Sequence, residues 1–303
     1  MNDTVSTPGF KAGYVAIIGR PNMGKSTLLN NLLGLKLSIT SRKPQTTRHQ
    51  ILGVKTVEKA QFVFVDTPGI HSGGNRAINR YMNRAASSVI HDVDVILFMV
   101  QSLKWTDEDQ LVLNKLKGID TPVILLINKV DQVSDKNKLL PFLSEISEKY
   151  PFENVIPVSA TRGDNLRQLE EHLSEILPEN PPFFQSDAFT DRSTRFLTAE
   201  IIREKLIREL GNELPYQTTV EIEQYKDEEK ITRIHALILV ETKGQKIIVI
   251  GDKGARLKSI GTKARGDIEK LIDRKVFLKL WVKVKSGWSD SEASLRSLGY
   301  DAD

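Results

Sequence analysis

Short apolar runs of strand length recur along the first half of the chain, at residues 14–18, 62–65, 95–100 and 123–127. Each is followed by a turn signal and then an amphipathic or loop stretch. Near-continuous apolar strands interleaved with helices predict a mostly parallel sheet covered on both faces, an α/β fold. The same reading places helices at residues 26–33 and 165–177. Residues 61–65 fit a second role as well, as an antiparallel edge partner of residues 53–57.

The second half follows another pattern. Phe196, Leu197, Ile201, Ile202, Leu206 and Leu210 recur at helical spacing, and Gly211 is a stop signal. Residues 220–224 and 231–240 read as a hairpin closed by the charged turn 226–230. Residues 246–250 fit a strand or a helix. A glycine loop at 251–254 and a helix at 255–272 follow. In the strand 276–284, Phe277, Lys279 and Trp281 alternate with Val276, Leu278, Leu280 and Val282. Between the halves, Pro178, Pro181 and Pro182 stiffen the chain and mark a linker. Phe183 and Phe184, next along, fit either docking of that linker or an ordinary core. The expected organisation is a tail at 1–10, an α/β domain at 11–180, a linker at 181–193 and a smaller α+β domain at 194–303.

Composition narrows the picture. The 303 residues suffice for about two domains. Cysteine is absent, which excludes disulfides, thiolate metal sites and cysteine nucleophiles and fits a reducing cytoplasm. No run approaches the roughly 20 apolar residues of a membrane span, and the polar residues 1–11 carry no apolar signal core. The net charge of +4 is unevenly spread. Between Glu241 and Lys285, 13 Lys and Arg stand against 5 Asp and Glu, so the excess there is +8. A basic back half calls for a polyanionic partner.

The chemistry begins at Gly19-Arg20-Pro21-Asn22-Met23-Gly24-Lys25-Ser26, with Thr27 next, which fits G-x-x-x-x-G-K-[ST] between a strand and a helix. Such a loop turns backbone N–H groups toward phosphates at a helix N-terminus. Lys25 is then the residue that reaches the β- and γ-phosphates, and the Ser26 hydroxyl a ligand of Mg²⁺. Asp66-Thr67-Pro68-Gly69 directly follows an apolar strand. A carboxylate there sits at the ligand edge of the sheet and is a candidate for the metal shell, while the Gly69 N–H senses the γ-phosphate. Asn128-Lys129-Val130-Asp131 selects the base: guanine offers two adjacent donors that the Asp131 carboxylate accepts, and adenine does not. Asn128 braces the loop, the Lys129 stem lies along the ring, and Ser159-Ala160 offers the Ala160 N–H to guanine O6. Thr46 and Thr47 are both candidates for a further Mg²⁺ ligand, and the sequence leaves open which of the two it is. The catalytic set is Asn22, Lys25, Thr46, Thr47 and Gly69. Ile70 occupies the position where many GTPases carry a water-orienting Gln, so slow intrinsic hydrolysis is expected. Arg20, Arg42 and Arg48 are read as surface or RNA-facing charges before they are read as arginine fingers.

These four elements, in this order, resemble the GTPase branch of P-loop proteins, which implies GTP and GDP as ligands and Mg²⁺ as cofactor. The loop G-R-P-N-x-G-K-S resembles a subset of bacterial GTPases, and that resemblance implies K⁺ held beside the phosphates by Asn22, where a cation offsets transition-state charge. Gly251-Asp252-Lys253-Gly254, flanked by apolar residues and followed by Arg256 and Lys258, resembles the G-x-x-G loop of KH modules, which clamps a nucleic-acid backbone. Asp252 departs from the more basic loops of many such modules. Ile247, Ile250, Leu257 and Ile260 are read as core positions.

Together with Gln45-Thr46-Thr47-Arg48-His49, the whole chain resembles the Era family of bacterial GTPases. That resemblance implies an rRNA-binding protein that engages the 3′ end of 16S rRNA and assists maturation of the small ribosomal subunit. It further implies peripheral association at the inner face of the cell membrane; a cytoplasmic location and a monomer are expected. The alternative is a GTPase whose basic module docks a protein or an acidic lipid surface.

Overall fold

The computed structural model describes residues 9–41, 43, 45–70, 76–211 and 217–300. The chain forms two compact units, and its contacts assign residues 39–46 and 75–81 to the second of them, with residues 192–303.

The first unit opens with β1 (Lys11–Ile18), α1 (Lys25–Leu33), β2 (Ile51–Thr56) and β3 (Ala60–Asp66). The helix α2 (Ala77–Ser88) follows in the chain, then β4 (Val95–Gln101), α3 (Asp107–Leu116), β5 (Val123–Asn128), α4 (Leu139–Ser147), β6 (Asn154–Pro157) and α5 (Leu166–Ile176). The strand order is β2-β3-β1-β4-β5-β6. Only β2 is antiparallel, paired with β3. The apolar run 61–65 is therefore both the edge partner of β2 and a parallel neighbour of β1. Beyond β1 the connections reverse direction across the sheet, which opens a crevice at the strand carboxyl ends, the place where such folds hold ligands. Ala16, Ile18, Phe98, Val100, Leu125 and Ile127 fill the core between sheet and helices.

The proline-rich stretch is not a free spacer. The Ala12 N–H donates to the Pro178 carbonyl at 3.1 Å, and the N–H groups of Phe183 and Phe184 both donate to the Gln61 side-chain oxygen at 2.7 and 2.9 Å. Gln61 is fully buried, so its amide must find partners inside the protein. Farther on, the Val54 N–H of the edge strand donates to the Phe189 carbonyl at 3.0 Å, which covers an otherwise open edge.

The second unit contains α6 (Thr194–Glu209), β7 (Thr218–Asp227), β8 (Thr232–Val240), α7 (Lys243–Ile250), α8 (Ala255–Ile272), β9 (Val276–Val284) and α9 (Glu292–Ser297). Its sheet runs β7-β8-β9, antiparallel then parallel. Thr242 and Gln245 form a capping box that starts α7, which decides the ambiguous residues 246–250 as helix. Ile202, Leu206, Ile234, Ile238, Ile260 and Ala264 make the core. Ile260 is fully buried, but Ile247 is 70% exposed. Reading Ile247 as core is thereby corrected: α7 is short, and only Val249 of its residues is fully enclosed.

Candidate functional site

The loop after β1 and the N-terminus of α1 form a tight cradle. Gly24 takes a left-handed conformation (φ 98°), and a Cβ there would meet the Asn128 amide nitrogen at 2.7 Å. Glycine is required on both counts. Asn22 also lies in the left-handed region (φ 63°), where Asn is among the tolerated residues. Lys25 is buried, and its ammonium donates to the carbonyls of Gly19 and Arg20 at 3.0 Å each. Burial lowers its pKa to about 8, against the raising effect of Asp66 and with a further lowering from Arg20.

Three oxygens from distant segments converge beside this cradle. The Ser26 hydroxyl donates to the Asp66 carboxylate at 2.7 Å and lies 2.7 Å from the Thr47 hydroxyl. Asp66 is fully enclosed, and its Oδ1 has no partner. Burial pushes its carboxyl above the usual carboxylate range, while the Ser26 hydrogen bond and the Lys25 charge pull it down. Two hydroxyls and an unsatisfied buried carboxylate oxygen form a hard, anionic donor set that fits Mg²⁺. Thr46 is turned elsewhere: its hydroxyl donates to the Lys43 carbonyl at 2.7 Å and lies 2.7 Å from the Ser41 hydroxyl.

The remaining elements meet at the carboxyl ends of β5 and β6. The Asn128 amide donates to the Met23 carbonyl at 2.7 Å, and its oxygen accepts the Ala160 N–H at 2.9 Å. Asn128 thus ties the phosphate loop to the segment after β6. The N–H for which a contact to guanine O6 is expected is held by Asn128 in this structure. Ser159 donates to Asp131 at 2.7 Å and so aims its carboxylate. Lys129 is held in the left-handed region (φ 66°), and burial lowers its pKa, as do Arg20 and Lys104. Thr67 donates to the Ile17 carbonyl at 2.8 Å. Ile70 is 3% exposed and packs in the core.

The arginine expectations change. Arg20 is neither free nor facing a partner: its Nε sits 3.0 Å from Asp109, which is fully buried and closes the capping box of α3 with Thr106. Arg48 is 1% exposed, so it is an interior residue. The physical reason is common to both, since each guanidinium lies in a folded segment that encloses it. Arg42 lies outside the described residues, as does His71.

Sequence reasoning missed a buried charge cluster on α6. Arg203 is 1% exposed and donates to Glu200 at 2.6 Å and to the Thr46 carbonyl at 2.6 Å. Burial opposes its charge, but Glu200, Tyr300 and Glu204 together hold the pKa above its ordinary value. Glu204, also enclosed, accepts from the Thr40 N–H at 3.1 Å, from Arg208 at 2.9 Å and from Lys205 at 3.0 Å. Lys205 also pairs with Asp267 on α8. The signal was present in the sequence: charged residues surround α6 on every side, leaving no face for solvent alone.

In the second unit, Gly251 ends α7 with φ 74°, and a Cβ there would meet the Arg256 Cβ at 2.7 Å. Lys253 and Gly254 also have positive φ, so the loop turns sharply into α8. Asp252 and Lys253 are exposed at its tip. The Arg256 guanidinium donates to the Ile248 carbonyl and braces the loop. Beside it, Gly254, Leu257, Lys258, Thr262, Arg265 and Leu280 line a groove of about 360 Å³. Leu257 belongs to this groove as well as to the core margin.

A six-stranded sheet with this cradle, and an αββααβ module with a G-x-x-G turn, define a P-loop GTPase joined to a KH domain. Family models agree: residues 14–129 match the 50S ribosome-binding GTPase family and residues 213–289 the KH domain. GTPase Era of Pseudomonas fluorescens (strain Pf0-1) is 57% identical over 300 residues, covering 99% of each chain. GTPase Era of Pseudomonas aeruginosa (strain LESB58) is likewise 57% identical, over 99% of this chain and 98% of its own. Two solved structures superpose on nearly the whole chain. One, described as Era in complex with MgGDPNP and nucleotides 1506–1542 of 16S ribosomal RNA, has a TM-score of 0.94 at 40% identity over 97% of this chain and all of its own. The other, a single-substitution variant of Aquifex aeolicus Era bound to GDP.AlF4-, has a TM-score of 0.93 at 39% identity with the same coverage. The chain belongs to the Era family of GTPases.

Proposed function

We propose that this protein is a GTP-hydrolysing switch that binds the 3′ end of 16S rRNA and assists maturation of the small ribosomal subunit. The observation that carries the reading is the convergence of Ser26, Thr47 and Asp66 beside the Lys25 cradle. That donor set suits a metal bound together with nucleotide phosphates. Mg²⁺, when bound, supplies charge neutralisation at the β- and γ-phosphates. Ser26, Thr47 and Asp66 are the residues that would hold it, and Thr47 rather than Thr46 is the threonine of the set, because the Thr46 hydroxyl is committed to Ser41 and Lys43.

Gly19–Thr27 hold the phosphates and the Gly69 N–H meets the γ-phosphate. Asp131, aimed by Ser159, selects guanine, while Asn128, Lys129 and Ala160 shape the base pocket. With Ile70 in the core, no side chain there orients water, so turnover is slow without help. Asn22 and a bound K⁺ are the proposed source of that help. In the second unit, Gly251–Gly254 with Arg256 and Lys258 form the RNA clamp, supported by the groove along α8 and by the local excess of cations.

The domain boundaries proposed are 11–180 for the GTPase domain and 194–303 for the RNA-binding part, with a monomer as the working state. The proposed location is cytoplasmic, with peripheral association at the inner face of the cell membrane. Among the described residues, no helix is long and apolar enough to cross a membrane.

The test is a competition assay. A 16S 3′-end RNA and a scrambled RNA of equal length compete for the protein bound to GDP or to a non-hydrolysable GTP analogue. The reading requires preference for the 16S sequence and an affinity that differs between the two nucleotides. Equal binding of both RNAs in both states would refute it.

A further inference from the structure

The strand β9 has two different faces. Successive side chains of a strand point to opposite sides of the sheet. Leu278 and Leu280 line the groove beside α8, so Phe277, Lys279 and Trp281 face the other way. The parallel register sets Phe277 against Arg233, Lys279 against His235 and Trp281 against Leu237. On that outer face the Arg233 guanidinium lies 5.2 Å from the Phe277 ring centre, and the Lys279 ammonium lies 5.5 Å from that of Trp281. The His235 ring sits edge-on between them, 6.4 Å from Phe277 and 5.6 Å from Trp281. Phe277 is 43% exposed.

A single exposed Phe is ordinary on a protein surface, but this one does not stand alone or in an apolar patch. It stands among cations. Arg233 is paired with Glu228 at 2.9 Å, whereas Lys279 has no ion pair among the described residues. Lys283 continues the same face two residues beyond Trp281, and it too is exposed. Flat rings with unpaired cations beside them suit unstacked bases and the phosphates that link them. A protein partner would be expected to meet more apolar area and a more balanced set of charges.

We propose that this outer face of β8 and β9 is a second surface for single-stranded RNA, separate from the groove beside α8. Bases stack on Phe277 and Trp281, and phosphates meet Lys279 and Lys283. Because β9 is the edge strand, RNA leaving the groove has only one strand to round before it reaches the outer face. The inference rests on the RNA-binding reading above, and it adds a footprint longer than the groove alone provides.

The test compares two fluorescent RNAs on the full-length protein by anisotropy. One is the 16S segment 1506–1542. The other is about four nucleotides long, the length that a G-x-x-G groove clamps. The variant Phe277→Ala with Lys279→Ala is expected to weaken the long RNA by about tenfold or more, from lost stacking and charge. Binding of the short RNA, the melting temperature and RNA-free GTP turnover stay as in the wild type. Phe277→Trp, which keeps a ring, retains the long-RNA affinity. Unchanged long-RNA affinity in the double variant overturns the proposal and leaves the face to a protein or lipid occupant. An equal loss for both RNAs overturns it too, because the residues then belong to the groove or to the fold. If the wild type binds neither RNA, the RNA-binding reading itself falls and this inference with it.

Discussion

Arg203 donates to the carbonyl of Thr46 at 2.6 Å, one residue before the Thr47 whose hydroxyl lies 2.7 Å from Ser26. Thr46, whose carbonyl Arg203 holds, is the chain neighbour of Thr47, whose hydroxyl meets Ser26. Glu200 holds the same guanidinium, and neighbouring Glu204 accepts from Thr40. In the proposed switch, a rearrangement of Thr47 on loss of the γ-phosphate would strain the Arg203–Thr46 clasp. Linkage then requires that nucleotide and RNA alter each other's affinity by the same factor.

Removing Arg203 takes away the guanidinium that pairs with the buried Glu200. Breaking a buried pair from one side costs about 3–5 kcal/mol, so Arg203→Ala is expected to lower the denaturant midpoint strongly. Arg203→Lys keeps the charge but loses the two-pronged geometry, and is expected to fall between. In that milder variant, the ratio of RNA affinities with GTP analogue and with GDP should move toward one. A ratio identical to wild type would show that the clasp does not carry the coupling.

Asp131 and Ser159 give a prediction on base selection. Asp131→Asn removes the double acceptor for the guanine N1–H and 2-amino groups, and hydrogen bonds to a charged group are worth about 1.5–3 kcal/mol. GTP affinity should therefore drop at least about tenfold, while xanthine nucleotides, which carry a carbonyl in place of the 2-amino group, should gain relative to guanine. Ser159→Ala frees the Asp131 carboxylate and should produce a smaller loss in the same direction. Equilibrium binding of fluorescent GDP and XDP reads both.

Turnover in KCl is expected to exceed turnover in NaCl at equal ionic strength, and Asn22→Ala should erase the difference. Asn22 already occupies the left-handed region within this loop, with φ 63°. Equal wild-type rates in the two salts would remove K⁺ from the mechanism.

Glu209 on α6 pairs with Lys263 on α8, and the Lys263 hydrogen bond holds its pKa below the ordinary 4.5. A carboxylate with a depressed folded pKa contributes stability above its unfolded pKa and loses that contribution as pH falls through the folded one. Lys263→Met should therefore melt lower than wild type at neutral pH. The two melting curves should converge as the pH drops below 4.5 and Glu209 protonates. A gap that persists unchanged into acid would show that packing, not the ion pair, separates them.

Much of the secondary structure was legible because it depends on local pattern. The strand at 276–284 and the helix at 255–272 come out with the expected ends, since alternation and helical spacing are properties of neighbouring residues. The first hairpin strand is longer than expected, at Thr218–Asp227, because pairing continues through polar residues past a bulge near Ile222, while the second, Thr232–Val240, falls within one residue of its expected span. Ile247 fooled the pattern for the opposite reason: an apolar residue on a short helix can face outward without cost to the core.

The sequence by itself determined the phosphate loop, the Asn128 to Asp131 motif proposed to select guanine and the glycine turn at 251–254, because each is a contiguous motif whose backbone shape follows from its own residues. Tertiary structure alone decided which threonine joins Ser26 and Asp66, since residues 26, 47 and 66 meet only after β1, β3 and α1 have packed. It also decided that Arg48 and Arg203 are interior residues and that Arg20 pairs with Asp109, because whether a charge is enclosed or paired depends on partners far away in sequence. Phe277, Lys279 and Trp281 stand together on one strand in the sequence. Only the sheet, with Leu278 and Leu280 turned toward α8, shows that they form a face of their own.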